Sequence, residues 1–238
     1  RESLETPIGA LLPSATSMRL VQDKRELVRL ASSLGVPTPE TVRVDLEAPV
    51  DSALDLTFPL VLKARREAAS RYVRRIATPT DLRDAVRAYR RHHDGDLIAQ
   101  ERLTGEGCGF FALYLDGERV GSYSHRRVRE YPPAGGVSAC AESHRDEELA
   151  EYGTRVLRAL AWNGPVMVEF KRDDAGKPHL IEINPKFWGS LDLAIASGLR
   201  FPQALVRYLA DGTRPTFSFA PRRYHWPLSG DLQHAVGR

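Results

Sequence analysis

The stretch 165–190, PVMVEFKRDDAGKPHLIEINPKFWGS, decides how the rest of the chain is interpreted. Its middle, 172–177, supplies the Asp and Gly residues that favour a tight turn, so the stretch predicts two strands joined as a hairpin. Alternation along the strands places one set of apolar side chains in a core, and these are Val166, Val168, Phe170, Ile181 and Ile183. The opposite face of the hairpin is then polar.

That polar face carries Glu169 on the first predicted strand and Glu182 and Asn184 on the second. With the turn centred near Ala175, the two carboxylates lie roughly across the ladder from each other. Like charges about 5 Å apart at an effective dielectric of about 20 repel by about 3 kcal/mol, so we expect a cation between them. Two carboxylates and an amide oxygen suit Mg²⁺, which completes its shell with water and phosphate oxygens. The alternative interpretation is an ordinary acidic surface on a hairpin.

The length and composition are those of an ordinary globular protein. The 238 residues suffice for one large or two small domains, and 42% are hydrophobic and 27% charged. No apolar run approaches the length of a membrane span and the N-terminus lacks the order of a signal peptide, which predicts a cytoplasmic protein with no membrane partner. The net charge of +3 is modest and the arginines are scattered, so nucleic acid is not an expected partner. Cys108 and Cys140 are too few for a disulfide framework or a zinc site and are interpreted as reduced thiols.

Glu169 followed by 180–190, LIEINPKFWGS, resembles the magnesium-binding signature of the ATP-grasp superfamily, closest to its predicted carboxylate-amine ligase branch. The chain is also similar to the carbamoyl-phosphate-synthetase and D-alanine ligase types, and the resemblance covers nearly its whole length. It implies an α+β fold with two lobes, each a mostly antiparallel sheet with helices, and a nucleotide between them. We predict a linker over 1–17, a small lobe over 18–96, and a large lobe with the metal site over 97–238.

Two lysines are candidates for contacts with the phosphates of a nucleotide. Lys63 ends an apolar predicted strand, FPLVLKA over 58–64, where its stem can pack while its ammonium acts as a point charge. The resemblance implies that Lys63 contacts the triphosphate. Lys24 follows Asp23, which suits the N-cap of a helix with leucines at helical spacing, and the matching lysine of the family often reaches a phosphate. The alternative for Lys24 is a solvated side chain in the first helical turn.

The resemblance places the adenine between the lobes, against backbone groups of a hinge near residue 100. It implies that Gln100, Glu101 and Leu103 line the adenine slot and that Glu106 binds the ribose hydroxyls. The alternative interpretation is the end of an edge strand followed by a turn. The segment 65–71, RREAASR, departs from the family because it has no glycine where many members carry a glycine-rich flap over the phosphates. This departure puts full catalytic competence in question.

The predicted catalytic cations are Lys63, Arg126, Arg129 and Lys186. In the ligase branch a basic segment such as 125–130, followed by paired glycines, faces the triphosphate and the acceptor. Guanidinium forks suit an acyl phosphate or a carboxylate. Lys186 stands where relatives commonly have an arginine, so it keeps the charge and lacks the fork. A solvated charged loop is the alternative for each arginine.

Together these features imply an enzyme, an ATP-dependent ligase that phosphorylates a carboxylate and joins the acyl phosphate to an amine, or to a thiol. The implied cofactors are ATP and Mg²⁺, with Mn²⁺ as an alternative ion, and the expected partners are a small-molecule carboxylate and amine. Because the family usually carries a preceding α/β domain, we expect a further N-terminal domain or a second copy of the chain to complete the acceptor site. The alternatives are an ATP-binding ATP-grasp module without ligase activity and a purely structural α+β domain.

Overall fold

The computed structural model describes residues 11–44, 56–66, 72–131 and 136–227. Most of the segment 65–71, namely residues 67–71, therefore lies outside the described residues, as does Gly135 of the paired glycines. In chain order the elements are α1 (Ala15–Gln22), α2 (Lys24–Ser33), β1 (Thr41–Val44), β2 (Leu60–Ala64), β3 (Val73–Ile76), α3 (Pro79–Arg90), β4 (Leu97–Glu101), β5 (Gly107–Leu115), β6 (Glu118–Tyr131), β7 (Val137–His144), α4 (Glu147–Ala159), β8 (Gly164–Arg172), β9 (Pro178–Asn184), α5 (Leu191–Ala196), α6 (Phe201–Asp211) and β10 (Arg223–His225).

The strands of the described residues form two antiparallel sheets. The smaller has four strands in the order β1-β4-β2-β3, and the larger has six in the order β10-β7-β6-β5-β8-β9. The predicted α+β architecture with two mostly antiparallel sheets is confirmed. Within the described ranges, none of the helices combines the length and apolar character needed to cross a bilayer.

Each sheet buries an apolar face because side chains alternate along its strands. In the smaller sheet, β2 and β4 contribute Leu60, Leu62, Leu97 and Ala99 to a core completed by α3. The larger sheet is covered on both faces, so β5 is buried along its whole length. Helices α1, α2 and α4 pack on one face, while α5, α6 and the segment after residue 211 pack on the other.

The two sheets do not divide the chain at the predicted lobe boundary between residues 96 and 97. β4 follows that boundary but pairs with β1 and β2, because its apolar side chains continue the smaller core. α1 and α2 precede the boundary, yet Val21 and Leu27 pack on the larger sheet. α1 also begins at Ala15, inside the range predicted as a linker. Chain order therefore does not follow the division into two sheets.

Asp23 separates α1 from α2 and ties both to the smaller sheet. It is buried, and as the N-cap of α2 its carboxylate accepts hydrogen bonds from two backbone N–H groups. It also accepts from Nε of Arg65 at 2.8 Å and from Nε of Arg66 at 2.9 Å. The backbone N–H of Lys24 donates to the carbonyl of Arg65 at 3.0 Å. The start of α2 is therefore held beside the end of β2.

The predicted hairpin forms as β8 and β9, with Glu169 directly opposite Glu182. Asp173 organises the turn, since its Oδ1 accepts hydrogen bonds from two backbone N–H groups of the turn. The register shifts just after Glu169, as in a β-bulge. As a result Leu180 packs in the core, whereas Ile181, which regular alternation places there, is only half-buried.

Candidate active site

Two carboxylates face each other at the centre of the candidate site. Glu169 and Glu182 occupy paired positions of β8 and β9, so their side chains project from the same face of the larger sheet. Burial and the nearby charge of Glu169 raise the pKa of Glu182. Asn184, two residues further along β9, donates from Nδ2 to Oε1 of Glu182 at 2.9 Å. The amide oxygen is not used in that bond, so the three side chains offer oxygen ligands to a cation.

The smaller sheet and α2 bring two lysines to these carboxylates. Burial lowers the pKa of the Lys63 ammonium, although the charges of Glu182 and Glu169 oppose the shift. Lys24 is also buried, and its charge acts on both Glu182 and Lys63. Residues far apart in the sequence therefore converge on one region between the sheets.

The site also contains Arg127, which is not among the predicted site residues. Its guanidinium donates to Oε1 of Glu169 at 2.7 Å and lies 3.3 Å from Glu130. Burial disfavours this charge, but the charges of Glu169 and Glu130 outweigh burial and raise the pKa of Arg127. Arg127 therefore stays charged and fixes Glu169 from the side of β6. Strand parity is the signal that could have found it, because Arg127 is two residues from His125, which shares a face with Glu169.

Arg126 lies on the opposite face of the larger sheet from the two carboxylates. It pairs with Cys108 on β5, whose side chain belongs to the core that includes α4. Its guanidinium forms an ion pair with Glu142 at 2.8 Å. The predicted catalytic role of Arg126 does not agree with this position, because side chains alternate along β6 and Arg127 takes the position that faces the carboxylates.

Arg129 contacts β10, and Lys186 follows Asn184 by two residues. The β6–β7 pairing shifts register between Arg127 and Arg129, and such a bulge breaks the alternation of faces. The guanidinium of Arg129 instead donates to Nδ1 of His225 on β10 at 3.0 Å. Lys186 is exposed in the loop after β9. Among the predicted catalytic cations, Lys63 lies close enough to both carboxylates for their charges to act on its ammonium.

The residues predicted to line the adenine slot differ in their surroundings. Gln100 is buried and its side-chain oxygen accepts a hydrogen bond from Lys63 at 2.7 Å, so it lies inside the candidate site. Leu103 is buried as well. Glu101 is exposed, and its carboxylate accepts from the backbone N–H of Glu40 at 3.3 Å.

Glu106, predicted to bind the ribose, borders a different cleft. This cleft has a volume of about 620 Å³ and is also lined by Arg126, Glu142 and Arg172. Because Arg126 lies on the face opposite Glu169, the structure does not bring Glu106 together with the carboxylate pair.

The side chains at the carboxylate pair fit a magnesium ion. Among the residues that the structure describes, no three or more His, Cys, Asp and Glu side chains form a group that could hold a metal ion. The candidate site has two carboxylates and an amide, and Mg²⁺ suits such a set because it takes few protein ligands and keeps several waters. Burial and the charge of Glu169 raise the pKa of Glu182, and a divalent cation would favour its charged form against both. Lys63, Lys24 and Arg127 add positive charge that suits the phosphates of a nucleotide.

Two antiparallel sheets that bring lysines to a pair of carboxylates define a protein of the ATP-grasp class. The family described as "ATP-grasp in the biosynthetic pathway with Ter operon" matches residues 93–225, more than half of the chain, and the chain belongs to this family. The resemblance inferred from the hairpin motif is thereby confirmed.

Two curated relatives are D-alanine–D-alanine ligases. The ligase of Hydrogenovibrio crunogenus is 28% identical over 185 residues, which cover 71% of this chain and 56% of the relative. The ligase of Nitrosomonas europaea is 25% identical over 231 residues, which cover 87% of this chain and 72% of the relative. The chain thus spans little more than half the length of the first of these relatives.

Solved structures share the fold at lower identity. A biotin carboxylase–β,γ-ATP complex from Campylobacter jejuni has a TM-score of 0.73 at 18% identity, covering 90% of this chain and 52% of that one. N5-carboxyaminoimidazole synthase from Aspergillus clavatus has a TM-score of 0.73 at 18% identity, with coverage of 89% and 58%. D-alanine–D-alanine ligase from Bacillus anthracis has a TM-score of 0.57 at 19% identity, with coverage of 73% and 59%. At these identities the likeness shows the fold alone.

Proposed function

We propose that this chain is the catalytic part of an ATP-dependent ligase that joins a carboxylate to an amine or a thiol. The observation that carries the proposal is the pairing of Glu169 with Glu182 beside Lys63, where the two sheets meet. A carboxylate oxygen of the substrate attacks the γ-phosphorus of ATP and ADP leaves. The amine or thiol then attacks the acyl carbon, phosphate leaves, the proton of the nucleophile passes to solvent, and an amide or a thioester forms.

In this proposal the chain contributes charge and position, and no covalent intermediate with the protein is needed. Lys63 and Lys24 neutralise phosphate oxygens and draw the nucleotide between the sheets. Arg127 holds Glu169 in place through its 2.7 Å hydrogen bond. Bound Mg²⁺ supplies neutralisation of phosphate charge, and the residues that would hold it are Glu169, Glu182 and Asn184.

The names of the relatives support this activity and its cofactors. The two curated relatives are both named as ligases that join D-alanine to D-alanine. Among solved structures, the Campylobacter jejuni complex contains β,γ-ATP, and a 2-oxoglutarate carboxylase domain from Hydrogenobacter thermophilus, with a TM-score of 0.70, contains MgADP and bicarbonate. We propose ATP and Mg²⁺ as the cofactors of this chain, with Mn²⁺ able to replace Mg²⁺.

The metal assignment is tested by calorimetric titration of a non-hydrolysable ATP analogue with and without Mg²⁺. We expect Glu182→Gln to abolish most of the Mg²⁺-dependent gain in affinity, because one of two carboxylate ligands is lost. Glu118→Gln is the matched control, since Glu118 is exposed at the β5–β6 turn. A Glu182→Gln protein with the wild-type dependence on Mg²⁺ would remove the metal assignment.

Turnover separates a ligase from an ATP-binding module without ligase activity. The segment 65–71 contains no glycine, and this favours the second candidate, because backbone amides of a glycine-rich flap commonly cover the phosphates. Phosphate release is measured with ATP, Mg²⁺ and pooled carboxylates and amines. Release that requires both an acid and an amine supports the ligase. Tight Mg²⁺-dependent nucleotide binding with no release in any pool supports the module.

A further inference from the structure

One face of the smaller sheet carries a row of polar side chains that leads to Lys63. Gln100 on β4 pairs with Val61 on β2, which is one same-face step from Lys63. On its other side Gln100 pairs with Thr41 on β1. Since paired positions share a face, these polar groups lie side by side, on the face opposite the apolar core of the sheet.

These groups form one continuous chain of hydrogen bonds. The Lys63 ammonium donates to Oε1 of Gln100 at 2.7 Å. Nε2 of Gln100 donates to Oγ1 of Thr41 at 2.9 Å, and the Thr41 hydroxyl donates to the carbonyl of Pro39 at 2.9 Å. Gln100 is only 2% exposed, so losing either partner would leave a buried polar group unsatisfied.

The carbonyl of Pro39 determines which group donates and which accepts in each of these hydrogen bonds. A carbonyl only accepts and a hydroxyl has a single proton, so Thr41 gives its proton to Pro39 and accepts from Gln100. The Gln100 amide is therefore turned with its NH₂ toward Thr41 and its oxygen toward Lys63. That oxygen takes one of the three N–H donors of Lys63 and leaves two for phosphate oxygens.

We infer that Gln100 is a positioning residue for Lys63, with Thr41 as its anchor, and not a contact of the adenine base. This inference deepens the proposed function and rests on it. A lysine side chain has many rotamers, so ordering it costs conformational entropy. If the side chain is ordered before the nucleotide arrives, nucleotide binding does not bear that entropy cost. Gln100 would act on the phosphate end of the nucleotide without touching it.

We call the hydrogen bonds from Lys63 through Gln100 and Thr41 to Pro39 the relay. A role of Gln100 in the relay and a contact of Gln100 with adenine predict different effects of the same substitutions. If Gln100 contacted the base, Gln100→Met would weaken ATP more than GTP and would leave tripolyphosphate unaffected. If Gln100 positions Lys63, all three ligands lose affinity to the same extent. Thr41 acts on Lys63 through Gln100, so a loss of tripolyphosphate affinity in Thr41→Val, a ligand without a base, distinguishes the positioning role from a contact with adenine.

The experiment measures binding of non-hydrolysable ATP and GTP analogues and of tripolyphosphate, each with Mg²⁺, by calorimetry. We expect Gln100→Met to weaken all three by about tenfold, as for a lost hydrogen bond to a charged group. Thr41→Val should weaken them by about threefold, whereas Thr41→Ser, which keeps the hydroxyl, should bind like wild type. In a Lys63→Met background, Gln100→Met should cause no further loss, because its effect passes through Lys63. Thermal unfolding of each variant verifies that it is folded.

Three results would overturn the relay and leave the proposed function standing, provided that the wild-type protein binds the nucleotide with Mg²⁺. These are a loss confined to ATP, wild-type binding by both Thr41→Val and Gln100→Met, or an undiminished effect of Gln100→Met in the Lys63→Met background. A wild-type protein that binds none of the three ligands overturns the proposed function and the relay together.

Discussion

Arg126 and Arg127 are neighbours in the sequence with opposite surroundings. Arg127 is partly buried against Glu169 and Glu130, while Arg126 is half-exposed and pairs with Glu142 on the other face of the sheet. A single step along β6 therefore separates a group at the candidate active site from a group outside it.

This difference predicts unequal effects of the same substitution. Arg127→Met should weaken Mg²⁺-dependent binding of an ATP analogue by about tenfold or more, because Glu169 loses its charged hydrogen-bond partner beside the phosphate site. Arg126→Met, the matched control, should stay within about twofold, since Arg126 is half-exposed and its ion pair lies on the opposite face from Glu169. Calorimetry on both variants makes the comparison, and equal losses would contradict the assignment of faces.

Gly105 marks a close approach between two parts of the larger sheet. A Cβ at this position would lie 2.4 Å from the backbone oxygen of Arg172 and 2.9 Å from that of Asp173. The backbone N–H of Arg172 donates to the carbonyl of Glu106 at 2.9 Å, so the segment before β5 is packed directly on the β8–β9 hairpin. Only glycine fits this contact without displacement of the backbone.

We therefore expect Gly105→Ala to lower the free energy of unfolding by about 1–3 kcal/mol, as overpacking does. Gly189→Ala is the control, because a Cβ there would meet no atom within 4 Å. Urea unfolding followed by circular dichroism measures both. A Gly105→Ala protein as stable as wild type would show that the hairpin and the hinge are not in tight contact.

Asp23 joins α1, α2 and the end of β2. Burial pushes the pKa of Asp23 upward, but hydrogen bonds from Arg65, from Arg66 and from the N-terminal backbone of α2 outweigh it, so the pKa lies below its ordinary value of 3.8. A carboxyl group with a lowered pKa stabilises the folded state above its unfolded pKa. That contribution is lost as the pH falls through the folded value.

Asp23→Asn should therefore cost about 3 kcal/mol of stability near pH 7, because Arg65 and Arg66 lose their shared buried partner. The difference between wild type and variant should shrink as the pH falls below about 3.8. Urea unfolding from pH 7 to pH 3 measures this difference. Asp84→Asn, at an exposed position of α3, should change stability by less than about 0.5 kcal/mol. A difference that is constant or grows toward low pH would contradict the role of the Asp23 charge.

The β8–β9 hairpin could be predicted because its side chains alternate regularly between the two faces. Other side-chain positions could not be predicted where the strands depart from this alternation. The opposition of Glu169 and Glu182 follows from the turn and the period of the strands. Ile181 is half-buried where alternation predicts a core position, and Arg129 contacts His225 on β10. Each lies beside a register shift, which sequence periodicity does not reveal. Arg127 is recognised only when the pairing of β5, β6 and β8 is known.

The candidate site exists only because two sheets meet. Lys63 belongs to the smaller sheet and the carboxylates to the larger, while α2 packs on the larger sheet and is tied through Asp23 to the smaller. The family resemblance predicted both lobes, but the exchange of β4 and α2 across the predicted boundary depends on tertiary packing. Local sequence patterns carry little information on that packing.

We propose that the carboxylates of Glu169 and Glu182 share a divalent ion that contacts nucleotide phosphates next to Lys63. The most direct measurement is a crystal structure of the wild-type protein with Mn²⁺ and a non-hydrolysable ATP analogue, with the ion located by anomalous scattering. We predict an anomalous peak about 2.0–2.3 Å from oxygens of both carboxylates, with the Lys63 ammonium in contact with a phosphate. A bound nucleotide whose ion lies away from Glu169 and Glu182, or whose phosphates lie away from Lys63, would contradict the claim.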